Sequence, residues 1–308
     1  MKKIVKLTSI VLAALLALCA FASCGTTTKG PETDTPALKT VDIQLTEEEY
    51  AYAVQKGNTE LLASLNAFLE TIKADGTFEA IINKYFADGT PSPVKSAPSL
   101  KTDGSQLVVA TNAAFEPFEY MKGENYYGVD MEIMDLFAKS IGKELYINNM
   151  EFDAVCLSVS ALGGEYEKAD GTKVTVSGGV CDVAASGLTV SDKRKETLDF
   201  STSYYNAAQK IIVAGNDTTF DACKTAEDVV AILNSYDKST KVGVQNATTG
   251  QKYAEGDADW GFDGFNFSAV GYANGALAVQ DIINGNIKFV IIDEGPANAI
   301  VKKVNEAN

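Results

Sequence analysis

The sequence predicts an α/β protein built on two mainly parallel sheets. Short apolar segments of strand length alternate with amphipathic segments of helical period through most of the 308 residues, a rhythm typical of βαβ units. In open sheets of this kind, ligands bind beyond the carboxyl ends of the strands. Four candidate residues fall at such strand ends: Asn112, Gly187, Gln245 and Asp293. We therefore expect a ligand site where these strand ends meet.

The front of the chain predicts export. A lysine-rich start precedes an apolar run at 10–21, which is too short for the membrane helix of a folded protein but suits a secretory signal, residues 1–23. The run ends in Ala22-Ser23-Cys24, which resembles a lipobox and makes Cys24 the lipidated first residue of the mature protein. Ordinary cleavage with Cys24 left free is the alternative. Residues 24–39, rich in Thr, Pro and Gly, are expected to form a flexible tether.

Composition narrows the function classes. A net charge of −15 argues against nucleic acid as a partner, because such proteins need a basic surface. The chain has no histidine, and the cysteines after the leader fit no zinc pattern, so no metal or other cofactor is expected. Cys156, Cys181 and Cys223 are expected to be buried free thiols, with a Cys156–Cys181 disulfide as the alternative.

The first hundred residues contain strands, helices and a linker. Alternating segments at 41–45 and 50–54 predict two strands, and Asn58 is predicted to cap a helix with an apolar face. A second short helix is expected at 78–86. The stretch 87–104, rich in Pro, Ser, Gly and Lys, shows no periodicity, and we interpret it as a linker that buries little.

The rest of the chain repeats the α/β rhythm. A buried strand at 107–110 precedes a helix that Asp130 is predicted to cap. Residues 163–179 alternate around Asp170-Gly171 and predict an inserted hairpin. Further strands are expected at 183–185, 210–213, 241–244 and 289–292.

Arg194 is the only arginine, and it follows a short apolar strand and a turn of Gly, Ser and Thr. A guanidinium matches a carboxylate with two parallel hydrogen bonds, whereas lysine is a point charge. We interpret Arg194 as the group that binds an anionic ligand; a surface residue in a charged run is the alternative. The acidic segment 257–264 does not match the calcium-loop pattern. Gly261 occupies the third ligand position, and Phe262 occupies the position that requires glycine. The segment is expected to be a surface turn beside Trp260.

Several segments together resemble a known family. In chain order they are ATNAAFEPFEY (110–120), YGVDME (127–132), GLTVSDKR (187–194), LDFS (198–201), VGVQ (242–245) with TTG (248–250), and IDE (292–294). This combination resembles the polar-amino-acid solute-binding proteins of ABC importers. The resemblance implies a two-lobed, type II periplasmic-binding-protein-like fold, with helices on both faces of two sheets joined by two hinge strands.

One departure from the family implies a circular permutant. The family closes with a Glu-Glu-Tyr strand, a Lys-Gly-Asn helix and an aromatic pair; here these motifs occur at the front, within 46–86. Exposed loops tolerate being opened and domain ends are often close together, so permutation is physically reasonable. A separate helical stalk or an arm swapped into a neighbour is the alternative. The implied domains are 40–49 as a strand of lobe 2 and hinge, 50–203 as lobe 1, 204–208 as the second hinge and 209–308 as lobe 2.

The resemblance also implies the site. Arg194 would bind the ligand carboxylate with Thr189, and the Thr248/Thr249 turn would add N–H donors. Asp293 and the Gly187 carbonyl would bind the ammonium group. The remaining candidates are Phe115 and Phe152 around the aliphatic stem, Asn112 and Gln245 at the side chain, and Ser186.

The implied function is that of a monomeric, lipid-anchored extracellular receptor that delivers a free amino acid to the permease of an ABC importer. Asn112 is neutral where many relatives carry an aspartate, which favours a neutral polar amino acid. A basic amino acid is the alternative, with Glu116 or Glu119 supplying charge. A ligand-sensing lipoprotein also remains open. A dehydratase is less favoured, since the chain lacks a histidine to act as acid or base.

Overall fold

The computed structural model describes residues 37–87, 89–168 and 170–307. The predicted signal and Cys24 lie outside the described residues. In chain order the described elements are β1 Leu38–Val41, β2 Glu48–Tyr50, β3 Ala53–Gln55, α1 Thr59–Ala74, α2 Thr77–Phe86, β4 Gln106–Thr111, β5 Ala114–Phe115, β6 Glu119–Lys122, β7 Asn125–Tyr127, α3 Val129–Ser140, β8 Glu144–Asn149, α4 Phe152–Val159, β9 Gly164–Glu167 and β10 Lys173–Val176. They continue with β11 Val183–Ala184, α5 Asp192–Lys195, β12 Leu198–Phe200, β13 Tyr205–Ala207, β14 Gln209–Ala214, α6 Ala226–Leu233, β15 Lys241–Gln245, α7 Thr249–Glu255, the 3-10 turn Ala258–Trp260, β16 Ser268–Tyr272, α8 Gly275–Ile283, β17 Phe289–Asp293 and α9 Glu294–Ala307.

Two five-stranded sheets organise this part of the chain. The first has the order β12-β3-β11-β4-β8, and we call it, with its helices, lobe 1; the second has the order β1-β14-β17-β15-β16, and we call it lobe 2. Three neighbouring strands of each sheet pair in parallel, and the other pairings are antiparallel. An apolar cluster covers each face of each sheet. The α/β prediction with two sheets is confirmed.

Two strands connect the lobes and pair with each other. β2 leads from lobe 2 to lobe 1, and β13 leads back; they are antiparallel, with Tyr50 opposite Tyr205 and Glu49 opposite Asn206. Side chains alternate along β2, so Glu48 and Tyr50 are buried while Glu49 is exposed. The crossing strands therefore bring two polar side chains of the N-terminal segment to the region between the lobes.

Residues 37–86 contribute to both lobes. β1 pairs with β14 in lobe 2, whereas β3 lies between β12 and β11 in lobe 1. Helix α1 is capped by Asn58, whose side chain accepts a hydrogen bond from the Leu61 N–H at 3.3 Å, and it buries Leu65 and Leu69 in the core of lobe 1. The capping prediction is confirmed, and this segment is not a separate stalk.

The start and the end of the described chain lie side by side. The Leu38 N–H donates to Asn305 Oδ1 at 3.1 Å, and Asn305 Nδ2 donates to the Leu38 carbonyl at 2.9 Å. These bonds join the first strand to the last helix of lobe 2, and the ends of this domain are consequently adjacent in space.

The segment 87–104 has little regular structure, as expected, but the expectation that it buries little is wrong. Val94 is 3% exposed, and its backbone pairs with Tyr126 of β7. Ala97 is 9% exposed, and its N–H donates to the Leu145 carbonyl of β8 at 2.8 Å. The segment forms backbone hydrogen bonds with β7 and β8, which are edge strands of their sheets. This pairing holds the segment against lobe 1 and buries Val94 and Ala97.

Other predictions of local structure need correction. Asp130 does not cap α3, since that helix begins at Val129 after Gly128; Asp130 is buried and accepts from the Gly187 N–H at 2.9 Å. Gly128 has φ 124°, and a Cβ there would lie 2.0 Å from the Phe118 carbonyl oxygen, so glycine is required. The strand expected at 41–45 lies earlier, at Leu38–Val41, so it begins within the expected tether 24–39. The single strand expected at 50–54 is broken into β2 and β3.

The hairpin prediction is confirmed, because β9 and β10 pair with Glu167 opposite Lys173. Cys156, Cys181 and Cys223 are free thiols, so the alternative disulfide is not formed; Cys181 is buried, but the other two are only half-buried. Within residues 37–87, 89–168 and 170–307, no helix combines the length and apolarity needed to cross a membrane.

Candidate functional site

Arg194 lies buried where the two lobes meet. It occupies the one-turn helix α5, whose start Ser191 caps by accepting from the Arg194 N–H at 3.2 Å. Its side chain is 9% exposed; Nη1 donates to the Thr189 carbonyl of lobe 1 at 2.7 Å and Nη2 to the Ala247 carbonyl of lobe 2 at 3.3 Å. A surface residue in a charged run would be solvated, so that alternative interpretation is wrong.

Aromatic rings lie on this guanidinium and on the turn before it. The Cζ atom of Arg194 is 5.6 Å from the Phe152 ring centroid and 4.9 Å from that of Trp260, distances at which a cation interacts with a ring face. Phe115 instead covers Gly187: a Cβ on Gly187, whose φ is 49°, would lie 2.7 Å from the Phe115 ring. Both phenylalanines predicted for the site thus lie at it, but Phe152 contacts Arg194 whereas Phe115 contacts Gly187.

A hydrogen-bonded row of side chains crosses between the lobes beside Arg194. Thr249 Oγ1 of lobe 2 donates to Thr189 Oγ1 at 3.0 Å, and Thr189 Oγ1 donates to Glu48 Oε2 at 2.7 Å. Thr248 faces its own helix instead: its hydroxyl donates to the Gln245 carbonyl at 2.8 Å and accepts from the Gln251 N–H. The predicted threonines therefore divide into one that bridges the lobes and one that caps α7.

Asp293 forms the acidic part of the site. It ends β17 with only 4% exposure and accepts a short hydrogen bond from the Tyr50 hydroxyl. Burial, followed by the charge of Glu48, raises the pKa of Asp293 to about 7. Gln209 also contacts this acid and donates from Nε2 to Glu48 Oε1 at 2.9 Å. A cationic group placed here would stabilise the charged carboxylate.

Asn112 and Gln245 meet across the lobes. Gln245 Nε2 donates to Asn112 Oδ1 at 3.3 Å, and Asn112 Nδ2 donates to the Met150 carbonyl at 2.7 Å. Gln245 is buried, and its Oε1 has no hydrogen-bond partner among the described residues. Because buried acceptors are nearly always paired, this oxygen is suited to a donor supplied by a ligand.

Ser186 lies beneath this pair. Its hydroxyl accepts from the Asn112 N–H at 3.0 Å and donates to Glu119 Oε1 at 2.9 Å. Burial and the nearby Asp130 raise the pKa of Glu119 well above its usual range. Ser186 thus holds the backbone of Asn112 in place, and its hydroxyl already both accepts and donates a hydrogen bond within the protein.

The buried charges of the site do not balance. Glu48, Glu119, Asp130 and Asp293 are buried carboxyl groups, whereas Arg194 is the buried cation among them. The other buried cation of the described chain, Lys210, pairs with Asp42 at 2.8 Å and with Glu294 at 2.7 Å. Burial favours the neutral forms of three of these acids: it raises the pKa of Glu119 well above its usual range, that of Asp130 to about 6 and that of Asp293 to about 7. No group of side chains suited to a metal ion occurs among the described residues.

A cavity of about 540 Å3 opens beside the bridging threonines. Its wall includes Glu48, Thr189 and Thr249 together with Trp260 and the start of α5. Glu48 and Trp260 were not among the predicted site residues. Glu48 lies in a run of three glutamates that suggests solvent exposure, and the sequence near Trp260 suggests only a surface turn.

Two α/β lobes are joined by two crossing strands, and polar side chains face one another between the lobes, an arrangement typical of clefts for small molecules. The sequence profile of the bacterial extracellular solute-binding proteins, family 3, matches residues 6–88, 107–162 and 168–306. The chain belongs to this family.

Characterised relatives bind amino acids. The arginine-binding extracellular protein ArtP of Bacillus subtilis (strain 168) is 30% identical over 119 residues, which are 39% of this chain and 40% of that protein. The L-cystine-binding protein TcyJ of Escherichia coli (strain K12) is 26% identical over 202 residues, 65% of this chain and 63% of that protein. The match thus spans between 40% and 63% of the length of these relatives.

Solved structures agree with the fold. An ancestral arginine-binding protein bound to glutamine superposes with a TM-score of 0.50 at 25% identity, covering 68% of this chain and 77% of that one. The ancestral amino-acid-binding protein AncCDT-1, a precursor of cyclohexadienyl dehydratase, gives a TM-score of 0.50 at 23% identity over 64% of this chain and 75% of that one. The second likeness concerns the fold alone.

Proposed function

We propose that this protein is an extracytoplasmic receptor that binds a free amino acid between its lobes and delivers it to an ABC importer. The observation that carries the proposal is a buried polar network with a cation at one end and an acid at the other. Arg194 bonds Thr189, Thr189 bonds Glu48, and Gln209 joins Glu48 to Asp293. An α-amino acid has one carboxylate and one ammonium group to meet these two ends.

The roles in this complex follow from charge and geometry. Arg194 binds the carboxylate through its fork, with Thr189 and the start of α7 at Thr249 beside it, and Asp293 binds the ammonium group. Phe115 and Phe152 contact the aliphatic part of the ligand. Closing the lobes excludes water from these contacts, which strengthens each of them.

Two ligand classes fit the side-chain end of the site. The unpaired Gln245 Oε1 beside the Asn112 amide suits a side chain with N–H donors, such as that of a neutral polar amino acid. The excess of buried carboxyl groups favours a basic amino acid as the second candidate, because its additional positive charge reduces the imbalance.

A thermal-shift screen against the common amino acids tests the function. A ligand at a hundred times its Kd stabilises the folded state by about 2.7 kcal/mol, which is easily measured as a rise in Tm. We expect a rise with a neutral polar or a basic amino acid and none with its α-carboxamide. No rise with any amino acid would contradict the proposal.

The chain order is proposed to be a circular permutation of the family order. Support comes from the N-terminal segment, which supplies a strand to each sheet, and from the adjacent ends at Leu38 and Asn305. A superposition that covers 68% of this chain and 77% of the related structure, and so leaves part of each chain unmatched, is also what a permutant would give. A reordered chain, with 105–307 followed by 37–104, keeps the packed segment 87–104 and should fold and bind the same amino acid. A reordered chain that fails to fold would contradict the permutation.

The membrane anchor is proposed to be lipid on Cys24, because Ala22-Ser23-Cys24 follows a basic and apolar leader. Cys24→Ala should move the protein from the membrane fraction to the soluble fraction. An unchanged distribution would contradict the anchor but not the receptor function.

A further inference from the structure

The acidic turn that precedes β16 contacts the only arginine of the chain. Trp260 ends the 3-10 turn Ala258–Trp260, and its ring centroid is 4.9 Å from the Cζ atom of Arg194. Next to it, Asp259 pairs with Lys193, with 3.2 Å between Oδ2 and Nζ. Two neighbouring residues of lobe 2 thus contact two neighbouring residues of lobe 1 at the proposed carboxylate site.

This turn is fastened to lobe 2. The Asp257 side chain accepts from the Asp259 N–H at 3.0 Å and pairs with Lys252 at 3.1 Å, and the backbones of Asp257 and Phe262 pair with each other. Phe262 packs edge-on against Tyr253 of α7, with 5.4 Å between ring centroids. The turn therefore moves with lobe 2 when the lobes separate.

Trp260 has the surroundings of a contact residue and not of a core residue. It is half-buried and belongs to none of the apolar clusters found among the described residues. Its ring centroid lies 4.9 Å from the Arg194 Cζ atom, and the ring centroid of Phe152 in lobe 1 lies 5.6 Å from the same atom. Contact with an aromatic ring restricts the orientation of a planar guanidinium, and that orientation decides whether both N–H groups reach a carboxylate.

We propose that Trp260 is a positioning residue for Arg194: closure of lobe 2 brings the indole onto the guanidinium and fixes its fork for the ligand carboxylate, with the Asp259–Lys193 pair holding the turn in place. The inference rests on the proposed amino-acid-binding function. In the open protein Arg194 keeps Phe152 and the Thr189 carbonyl but loses Trp260 and the Ala247 carbonyl. The full grip on the carboxylate exists only in the closed form.

A double-mutant cycle tests this role in the full chain, with L-glutamine and L-arginine as the probes in titration calorimetry. Trp260→Ala should raise Kd by about tenfold or more, whereas Trp260→Phe, which keeps a ring, should stay within about threefold of the wild type. In an Arg194→Lys background, Trp260→Ala should change Kd by less than about threefold, because the planar partner is already gone. A merely structural role predicts the same factor in both backgrounds, and that result would overturn the proposal.

The ion pair is tested with a matched control. Asp259→Asn removes the partner of Lys193 and should speed ligand release by about threefold. Asp263→Asn makes the same change of charge at an exposed carboxylate of the same segment, and Asp263 forms none of the ion pairs found among the described residues. Equal effects of the two variants would refute a specific role for Asp259.

Fluorescence gives an independent readout, since Trp260 is the single tryptophan of the chain. Adding the bound amino acid should protect Trp260 from acrylamide quenching in the wild type, and less so in Arg194→Lys at saturating ligand. If the wild type binds the probe but Trp260 is quenched equally with and without it, the positioning role is wrong and the receptor function stands. If the wild type binds no amino acid at all, the receptor function fails and the positioning role fails with it.

Discussion

Arg194 and Asp293 are both buried charged groups between the lobes, but the structure accommodates them in different ways. Backbone carbonyls accept N–H groups of Arg194, and two aromatic rings contact its guanidinium. Asp293 is instead partly protonated near neutral pH, because burial and the charge of Glu48 raise its pKa to about 7. One end of the site is thus a fixed cation, and the other is an acid whose charge depends on what binds beside it.

We therefore expect the two ends of the site to differ in how their affinity depends on pH. A guanidinium does not lose its proton at any physiological pH, so the carboxylate end has constant affinity. The ammonium end is linked to pH, because an ammonium group favours the ionised form of Asp293. Binding below pH 7 would accordingly release a proton at Asp293 and none at Arg194, so measurements at different pH values separate the two ends of the site.

The largest effect is expected from Arg194→Lys. Lysine keeps the charge but loses the fork and the stacking, so the free energy of binding should fall by about 2 kcal/mol or more. Titration calorimetry measures the loss, and circular dichroism checks that the fold is kept. An unchanged affinity would contradict the assignment of Arg194 to the ligand carboxylate.

Asp293→Asn should have the next largest effect, a loss of about 1.5 kcal/mol of binding free energy at pH 8, where the wild-type acid is ionised. The folded-state pKa of Asp293 lies above the ordinary aspartate value of 3.8, so the charged form destabilises the ligand-free protein as pH rises toward 7. The neutral amide should therefore raise the Tm of the ligand-free protein at pH 8. A lower Tm would contradict the raised pKa.

The wild-type affinity should also depend on pH. The ammonium group requires ionised Asp293, so the affinity should fall by up to about tenfold per pH unit as pH decreases below 7. Titrations between pH 5 and 8 in wild type and in Asp293→Asn measure this, and the variant should show a flat profile. Burial raises the pKa of Asp130 to about 6, and Asp130 is present in both proteins. A pH dependence that came from Asp130 would therefore remain in Asp293→Asn.

The smallest effect is expected from Glu48→Gln, which removes the charge that helps to raise the pKa of Asp293. The amide can still accept from Thr189, so at pH 8 the affinity should change by less than about 1 kcal/mol, while the pH midpoint of binding moves downward. Glu49→Gln is the matched control, because Glu49 is exposed on the same strand. Equal pH profiles for the two variants would contradict the coupling of Glu48 to Asp293.

The sequence predicted the elements that depend on local chemistry. The cap at Asn58, the hairpin around Asp170-Gly171 and the two-sheet α/β architecture follow from turn residues and periodicity, and the structure has all three. Arg194 could be singled out because it is a lone residue type after a strand. Its burial between the lobes could not be read from its charged neighbours.

The features that were missed depend on contacts between distant segments. Glu48 is buried because β2 pairs with β13 and turns that side chain inward, and Trp260 matters because another lobe brings Arg194 to it. Asp130 is a common capping residue type, but the close approach of Gly128 to Phe118 shifts the helix start and leaves Asp130 buried beneath Gly187. No pattern within a single segment contains these facts.

In the proposed complex, one ligand contacts both Arg194 and Asp293 at once. The most direct measurement compares, by titration calorimetry at pH 8, the amino acid identified in the screen with its α-carboxamide and with its desamino acid. We predict tight binding of the amino acid only, with the carboxamide losing the contribution of Arg194 and the desamino acid losing that of Asp293. Binding of either analogue as tightly as the amino acid itself would contradict the account.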